Sequence, residues 1–217
     1  MRNIFDTLPP ADALAMEGLT RLVYELRENR RRILDGWQVA DEAALLAGVL
    51  DGTLPEHPAF DAWLGARVLG EAQADARARL AAGLATHDTA AAPVAGNAEL
   101  HATLAETLGS DFASRLAHPP VLHQDAVVFA LDNGTALTVR YAAADAYSLR
   151  WQHAGCDCGI DTAALHRELA TFPNHLHDAA GRLRADPLTD PAAAPADNVA
   201  RVLRALLADP ALTEPAA

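Results

Sequence analysis

The period of the apolar residues changes once along this chain, and that change constrains the fold more than any other feature. Between Asp12 and Leu34, the residues Met16, Leu19, Leu22, Val23, Leu26, Ile33 and Leu34 recur at three- and four-residue steps. This spacing predicts one helical stripe with Gly36 just past its end. Asp41 suits the cap of a short helix carrying Ala44, Leu45, Leu46, Val49 and Leu50, closed by Gly52. Pro58 fits the first turn of a third helix, which shows Phe60, Trp63, Leu64, Val68 and Leu69 on its apolar face and reaches about Leu84. A fourth helix, capped by Asn97, carries Leu100, Leu104, Leu108, Phe112 and Leu116 and is ended by Pro119 and Pro120.

From Ala126 onward the period is two. Ala126 to Leu131 is an apolar run rich in β-formers, and Asp132-Asn133-Gly134-Thr135 has Asn-Gly at the centre of a hairpin turn. Leu137, Val139 and Tyr141 alternate with polar or small neighbours, and Tyr147, Leu149 and Trp151 do so again after a turn at Ala143 to Asp145. Three antiparallel strands in a meander are expected. Asp197 or Asn198 is then expected to cap a final helix with Val199, Val202, Leu203, Leu206 and Leu207 on its inner face. The fold class is α+β: an N-terminal helical bundle followed by a small antiparallel β-meander sheet with flanking helices. The expected division is a helical domain over 1–85, a linker over 86–97 rich in small residues, an α+β domain over 98–208, and a tail over 209–217.

Charge narrows the function classes. The chain has 29 acidic and 17 basic residues, the latter all arginine, for a net charge of −12. A broad basic footprint for duplex DNA or an anionic membrane is therefore not expected. Arg27, Arg30, Arg31 and Arg32 form the one visible basic cluster and read as a solvated helix face. No run of ~18 apolar residues and no secretory leader is visible, so a cytoplasmic protein with no membrane partner is expected. Cys156 and Cys158 are too few and too close for a disulfide framework. The stripe from Met16 to Leu34, with Phe60, Trp63 and Val68, is more apolar surface than a short three-helix piece easily hides, so a homo-oligomer is expected.

The densest chemistry lies between Leu165 and His177. His166, Glu168, His175 and His177 fall within twelve residues, and Phe172-Pro173 stands between them. Proline fixes its own φ near ~−65° and disfavours the helical region for the residue before it. An extended segment follows, in which His175 and His177 share a side. Paired imidazoles suit proton transfer, phosphate contact or metal binding. The plainer alternative is a polar strand or loop with surface histidines.

Three pieces together, Arg150-Trp151, His166-Arg167-Glu168-Leu169 and Thr171-Phe172-Pro173-Asn174-His175-Leu176-His177, resemble the TumE-like toxin family of bacterial toxin–antitoxin modules. Members carry an Arg-Trp strand, a His-His-Pro-Glu element and a Thr-Phe-Pro-His-His-Lys-His signature. His166 and Glu168 match the second His and the Glu of the element, and His175 and His177 match the last two histidines of the signature. Leu165, Arg167, Asn174 and Leu176 stand where the family has His, Pro, His and Lys, and 155–164 reads as an insertion. The resemblance covers roughly residues 98–208. It implies a toxin acting on RNA in the manner of a nuclease, with a cognate antitoxin protein as partner. The helical domain, outside the resemblance, reads as a dimerisation or antitoxin-like element.

On that reading His166, His175 and His177 divide proton transfer at a scissile phosphate, Glu168 tunes an imidazole, and Arg150 stabilises the phosphorane charge. No cofactor is required. Zinc is the alternative, with His153, Cys156 and Cys158 as further ligand candidates, although Cys-x-Cys is tighter than the usual structural-zinc spacing. The plainer reading of the two cysteines is a reduced insertion loop. Two other function classes stay open: a non-catalytic interaction or dimerisation protein on a degenerate toxin fold, and a small zinc-binding regulatory protein. Tyr147, Trp151 and Phe172 read as core rather than base-stacking residues. His57, His87, His101, His118 and His123 carry no assigned role.

Overall fold

A computed structural model describes residues 9–86, 97–153 and 155–212 of the chain. The expected linker over 86–97 therefore falls mostly outside the described residues, as do the last five residues of the expected tail and His87. Three helices come first: α1 (Pro10–Trp37), α2 (Glu42–Leu50) and α3 (Glu56–Thr86). Leu26, Leu69 and Ala76 join α1 to α3, and Leu34, Leu45, Val49, Phe60, Leu64 and Val68 form a second buried cluster among all three.

Asp41 caps α2 as its sequence position predicts, accepting the Ala44 N–H at 2.8 Å. The end of α1 differs from expectation. Gly36 remains helical, and Gln38, at φ 58°, takes the left-handed position, because the helix continues far enough for Trp37 to pack against the second cluster. The basic cluster is a set of helix-surface pairs: Arg30 with Glu42, Arg31 with Asp35, Arg27 with Glu28, and Arg32 donating to Asn29.

After α4 (Asn97–Asp111) the chain builds a seven-stranded antiparallel sheet in simple sequence order. Its strands are β1 (Val121–Leu122), β2 (Val127–Ala130), β3 (Ala136–Ala143), β4 (Ala146–His153), β5 (Cys156–Asp161), β6 (His175–His177) and β7 (Leu183–Ala185). The β2–β3 hairpin turns at Asn133-Gly134, where Gly134 adopts φ 84° and the Asn133 side chain accepts the Thr135 N–H. The expected three-strand meander is thus the centre of a longer one. The segment read as an insertion loop is a correction: Cys156–Asp161 is β5, paired with β4 on one side and β6 on the other.

The α+β class holds, and alternation gives the sheet two unlike faces. Leu137, Val139, Tyr141, Tyr147, Leu149, Trp151, Cys158, Ile160 and Leu176 form the apolar face, packed on Leu104, Leu108 and Phe112 of α4 and on Val199, Val202, Leu203 and Leu206 of α5 (Pro195–Ala208). Tyr147 and Trp151 are core residues. Asn198 does not cap α5. It is buried inside the helix, where its amide group exchanges two hydrogen bonds with the Asp190 backbone and its Oδ1 also accepts from Arg201.

A register irregularity between Tyr141 and Ala143 interrupts the β3–β4 ladder, and the Tyr141 N–H donates to His101 Nε2 at 3.0 Å. Burial holds the His101 pKa down at about 4. The unfolded chain therefore binds a proton that the native chain refuses, and stability is lost as pH falls from ~6.5 toward the folded value. The shift corresponds to at most ~3 kcal/mol. His101→Gln keeps an acceptor and removes the titration. Urea unfolding at about pH 7 and about pH 4.5 should show a smaller acid loss in the variant than in the parent chain. Equal losses would contradict this role.

Candidate active site

The second face of the sheet is polar at its centre because the register stacks chemistry-bearing residues in two rows. Arg140, Ser148, Asp161 and His175 stand side by side across β3 to β6, and Thr138, Arg150, Gly159 and His177 form the next row. The start of α3 lies over these rows. At Glu56-His57-Pro58 the helix departs from helical geometry, with a cis His57-Pro58 bond, and the break presents Glu56 and His57 to the sheet.

Glu56 is the hub. Its Oε1 lies 2.7 Å from His175 Nε2 and 3.7 Å from His177 Nε2, and its Oε2 lies 2.9 Å from His166 Nε2. Asp161, with no exposed surface, is the second anion: Oδ1 accepts the Ala163 N–H at 2.9 Å, and Oδ2 sits 3.0 Å from His57 Nε2 and 3.4 Å from His177 Nε2. The other nitrogen of His57 is 3.4 Å from Asp61, which also accepts from Ser148 and stands 3.9 Å from Arg150. The rings of His57, His177, His175 and His166 meet edge to face in sequence, with centroids 4.1, 4.9 and 4.8 Å apart.

The electrostatics follow from this crowding. Burial pushes the Glu56 carboxyl up, but its contacts with His175, His177 and His166 outweigh that and hold it well below the usual carboxylate range. Asp161 is also held low, by His177 and His57 against complete burial. Burial opposes charge on His57, yet Asp161 and Asp61 push its pKa up to about 9. For His175 burial is outweighed by Glu56 and then Asp161, and for His177 by Asp161 and then Glu56, so both are raised.

Of the residues singled out from sequence, His166, His175 and His177 come together, and the two strand histidines do share a face. His175 is only 1% exposed, and its Nδ1 faces the Pro173 carbonyl at 3.0 Å. Glu168 lies on the outside, 73% exposed and 3.6 Å from His166 Nδ1; the carboxylate around which the histidines gather is Glu56. Arg150 lies against Gly159, where a Cβ would come within 2.4 Å of its Cδ, and its Nη1 is buried with no hydrogen-bond partner. His153 instead bonds Thr135 Oγ1, Cys156 is exposed, and burial pushes the Cys158 thiol up to about 11 on the apolar side of β5. These three are not part of the cluster.

Glu56, His57, Asp61 and Asp161 were not expected at the site. The available signal was Glu56, His57 and Asp61 set among the apolar residues Ala59, Phe60, Trp63 and Leu64 at the start of α3. The departures Asn174 and Leu176 serve the interior. The Asn174 amide donates to Asp186 and to the Thr189 carbonyl, and Leu176 is 1% exposed in the apolar core, where a lysine would bury its charge.

An open cleft of about 520 Å³ adjoins the cluster and is lined by Trp37, Pro58, Asp61, Thr138, Arg140 and Arg150 among others. The cleft carries the guanidinium groups of Arg140 and Arg150 among the carboxylates of Asp61, Asp125 and Asp157. Residues 103–210, which carry β1 to β7 and every sheet residue of the site, match the family model for Toxin TumE. The C-terminal half is a TumE-like toxin-type domain. No curated protein and no solved structure shows a significant match to the chain. No helix among the described residues is long and apolar enough to cross a membrane. Glu56, His57 and Asp61 of the polar cluster come from α3, outside the region that matches TumE.

Proposed function

We propose that this protein is a toxin that cleaves RNA at the histidine–carboxylate cluster under α3. The observation that carries the reading is the convergence of His57, His166, His175 and His177 on Glu56 and Asp161, beside a cleft holding two guanidinium groups. Arg140 is tied to Asp125 at 3.0 Å, whereas Arg150 keeps a buried N–H group without a partner, so Arg150 is the group to grip a phosphate. Both ring nitrogens of His57 are buried against Asp61 and Asp161, whereas His166, 22% exposed, can exchange protons with a bound substrate. His175 is too deeply buried to touch one and serves to hold Glu56. The toxin family supplies the further expectation of a cognate antitoxin protein. Self-association rests on Leu14, Leu22 and Tyr24, which remain exposed on α1.

The purified chain should cut a single-stranded RNA, and its production alone in bacteria should slow growth. A pure, folded preparation that leaves RNA intact and growth unaffected would overturn the reading. Gly159→Ala provides an internal check. The added Cβ requires Arg150 to move, and displacing a positioned group costs roughly 10²-fold in rate. The variant should therefore cut RNA about as slowly as Arg150→Ala while keeping its circular dichroism spectrum. Full activity in Gly159→Ala would remove Arg150 from the mechanism.

A further inference from the structure

We infer that Glu56, Asp161, His175 and His177 form a binding site for one divalent transition-metal ion. Each offers a ligand atom, and these atoms lie within 4.8 Å of one another, the group of this kind found among the described residues. The separations are 2.7 Å (His175 to Glu56 Oε1), 3.7 Å (His177 to Glu56 Oε1) and 3.4 Å (His177 to Asp161 Oδ2), and His175 lies 3.5 Å from the other oxygen of Asp161, Oδ1. Donors on a tetrahedral ion with bonds of ~2.0–2.1 Å stand about 3.3 Å apart, so binding opens the 2.7 Å contact of His175 with Glu56 and draws together the wider pairs, all already within 4.8 Å.

Unpartnered atoms supply the independent observation. Asp161 Oδ2 and His177 Nε2 are buried and make no hydrogen bond, although they are 3.4 Å apart. The 3.4 Å gap between these complementary groups is not closed by an aligned hydrogen bond. A folded interior seldom leaves such atoms unsatisfied without an ion or water to receive them.

The outer contacts also match those of a metal centre. A carbonyl accepts only, so the 3.0 Å contact with Pro173 O makes His175 Nδ1 the N–H donor and turns Nε2 toward the cluster. His166 occupies the other oxygen of Glu56, and the Ala163 N–H occupies Oδ1 of Asp161. His57 steadies Asp161 Oδ2 from outside. Two carboxylates neutralise a dication, and the pair of imidazoles favours zinc or iron over magnesium, calcium and manganese. This set shares no residue with His153, Cys156 and Cys158.

The test uses the full chain, stripped with a chelator and titrated with Zn²⁺ or Co²⁺. One ion should bind per chain, the melting temperature should rise, and Co²⁺ should give visible d–d absorption. Glu56→Gln and His177→Gln, both at partly exposed positions, should each weaken binding by at least ~10-fold. His153→Ala with Cys156→Ser should leave it unchanged. No stoichiometric ion and no Co²⁺ spectrum in the unaltered chain would overturn the inference without reference to any variant. So would full affinity in folded Glu56→Gln and His177→Gln, or loss of binding in the His153/Cys156 pair. The inference is separable from the RNA reading: cleavage by ion-free protein that binds no metal defeats this site alone, whereas an ion bound without cleavage supports it and counts against the nuclease.

Discussion

Glu56→Gln is expected to lower RNA cleavage by roughly 10²–10⁴-fold while leaving the fold intact. Glutamine preserves the shape of the side chain but removes the charge on which three imidazoles converge, from Nε2 of His175 at 2.7 Å, of His166 at 2.9 Å and of His177 at 3.7 Å. It therefore loosens all three rings together, and an effect of this size is reached without any change in hydrophobic packing. The position lies outside residues 103–210, so a family-based choice of targets would pass it over. Initial rates on a defined RNA, with circular dichroism as the fold control, measure the effect. A rate within a few-fold of the parent chain would remove Glu56 from the site.

An equally large loss is expected when the family-matched half is made alone. A chain of residues 97–217 lacks Glu56, His57 and Asp61 and uncovers the polar face of the sheet. Ala142, Ala146, Ala163 and Leu165 lose the cover of Phe60, Trp63 and Leu64, Asp161 loses His57, and His175 loses Glu56. Burying one large apolar side chain contributes ~1.5–3 kcal/mol, and whole domains are stable by only ~5–15 kcal/mol. The shortened chain should melt at a much lower temperature than the full chain, or without a cooperative transition, and should not cut RNA. A truncated protein that is stable and fully active would show the helices to be dispensable.

What the sequence made legible were features written in local pattern. The alternation of Tyr147, Leu149 and Trp151, the Asn133-Gly134 turn, and the spacing of His175 and His177 each name an element and a face within a few residues. β5 was hidden because its outward positions, Gly159 and Asp161, belong to the site. Glycine gives Arg150 room and aspartate faces the histidines, so neither carries the β-branched signature of a strand. The residues that face the cluster are the ones that weaken the strand signal. Glu56 was illegible for another reason: it meets His175 across 119 positions of sequence, a distance at which periodicity carries no information. Gln38 illustrates tertiary override on a smaller scale, since packing of Trp37 carried α1 past the glycine that local rules would have used as its end.

The central claim is that α3 and the TumE-like sheet make one catalytic unit, and a double-mutant cycle between Glu56 and His177 tests it most directly. Groups that act as a unit are strongly non-additive, so removing either one costs nearly as much as removing both. Cleavage rates for Glu56→Gln, His177→Gln and the double variant should therefore show the double variant about as slow as the slower single variant. Losses that multiply, or a Glu56→Gln chain that cuts at the parent rate, would contradict a shared site.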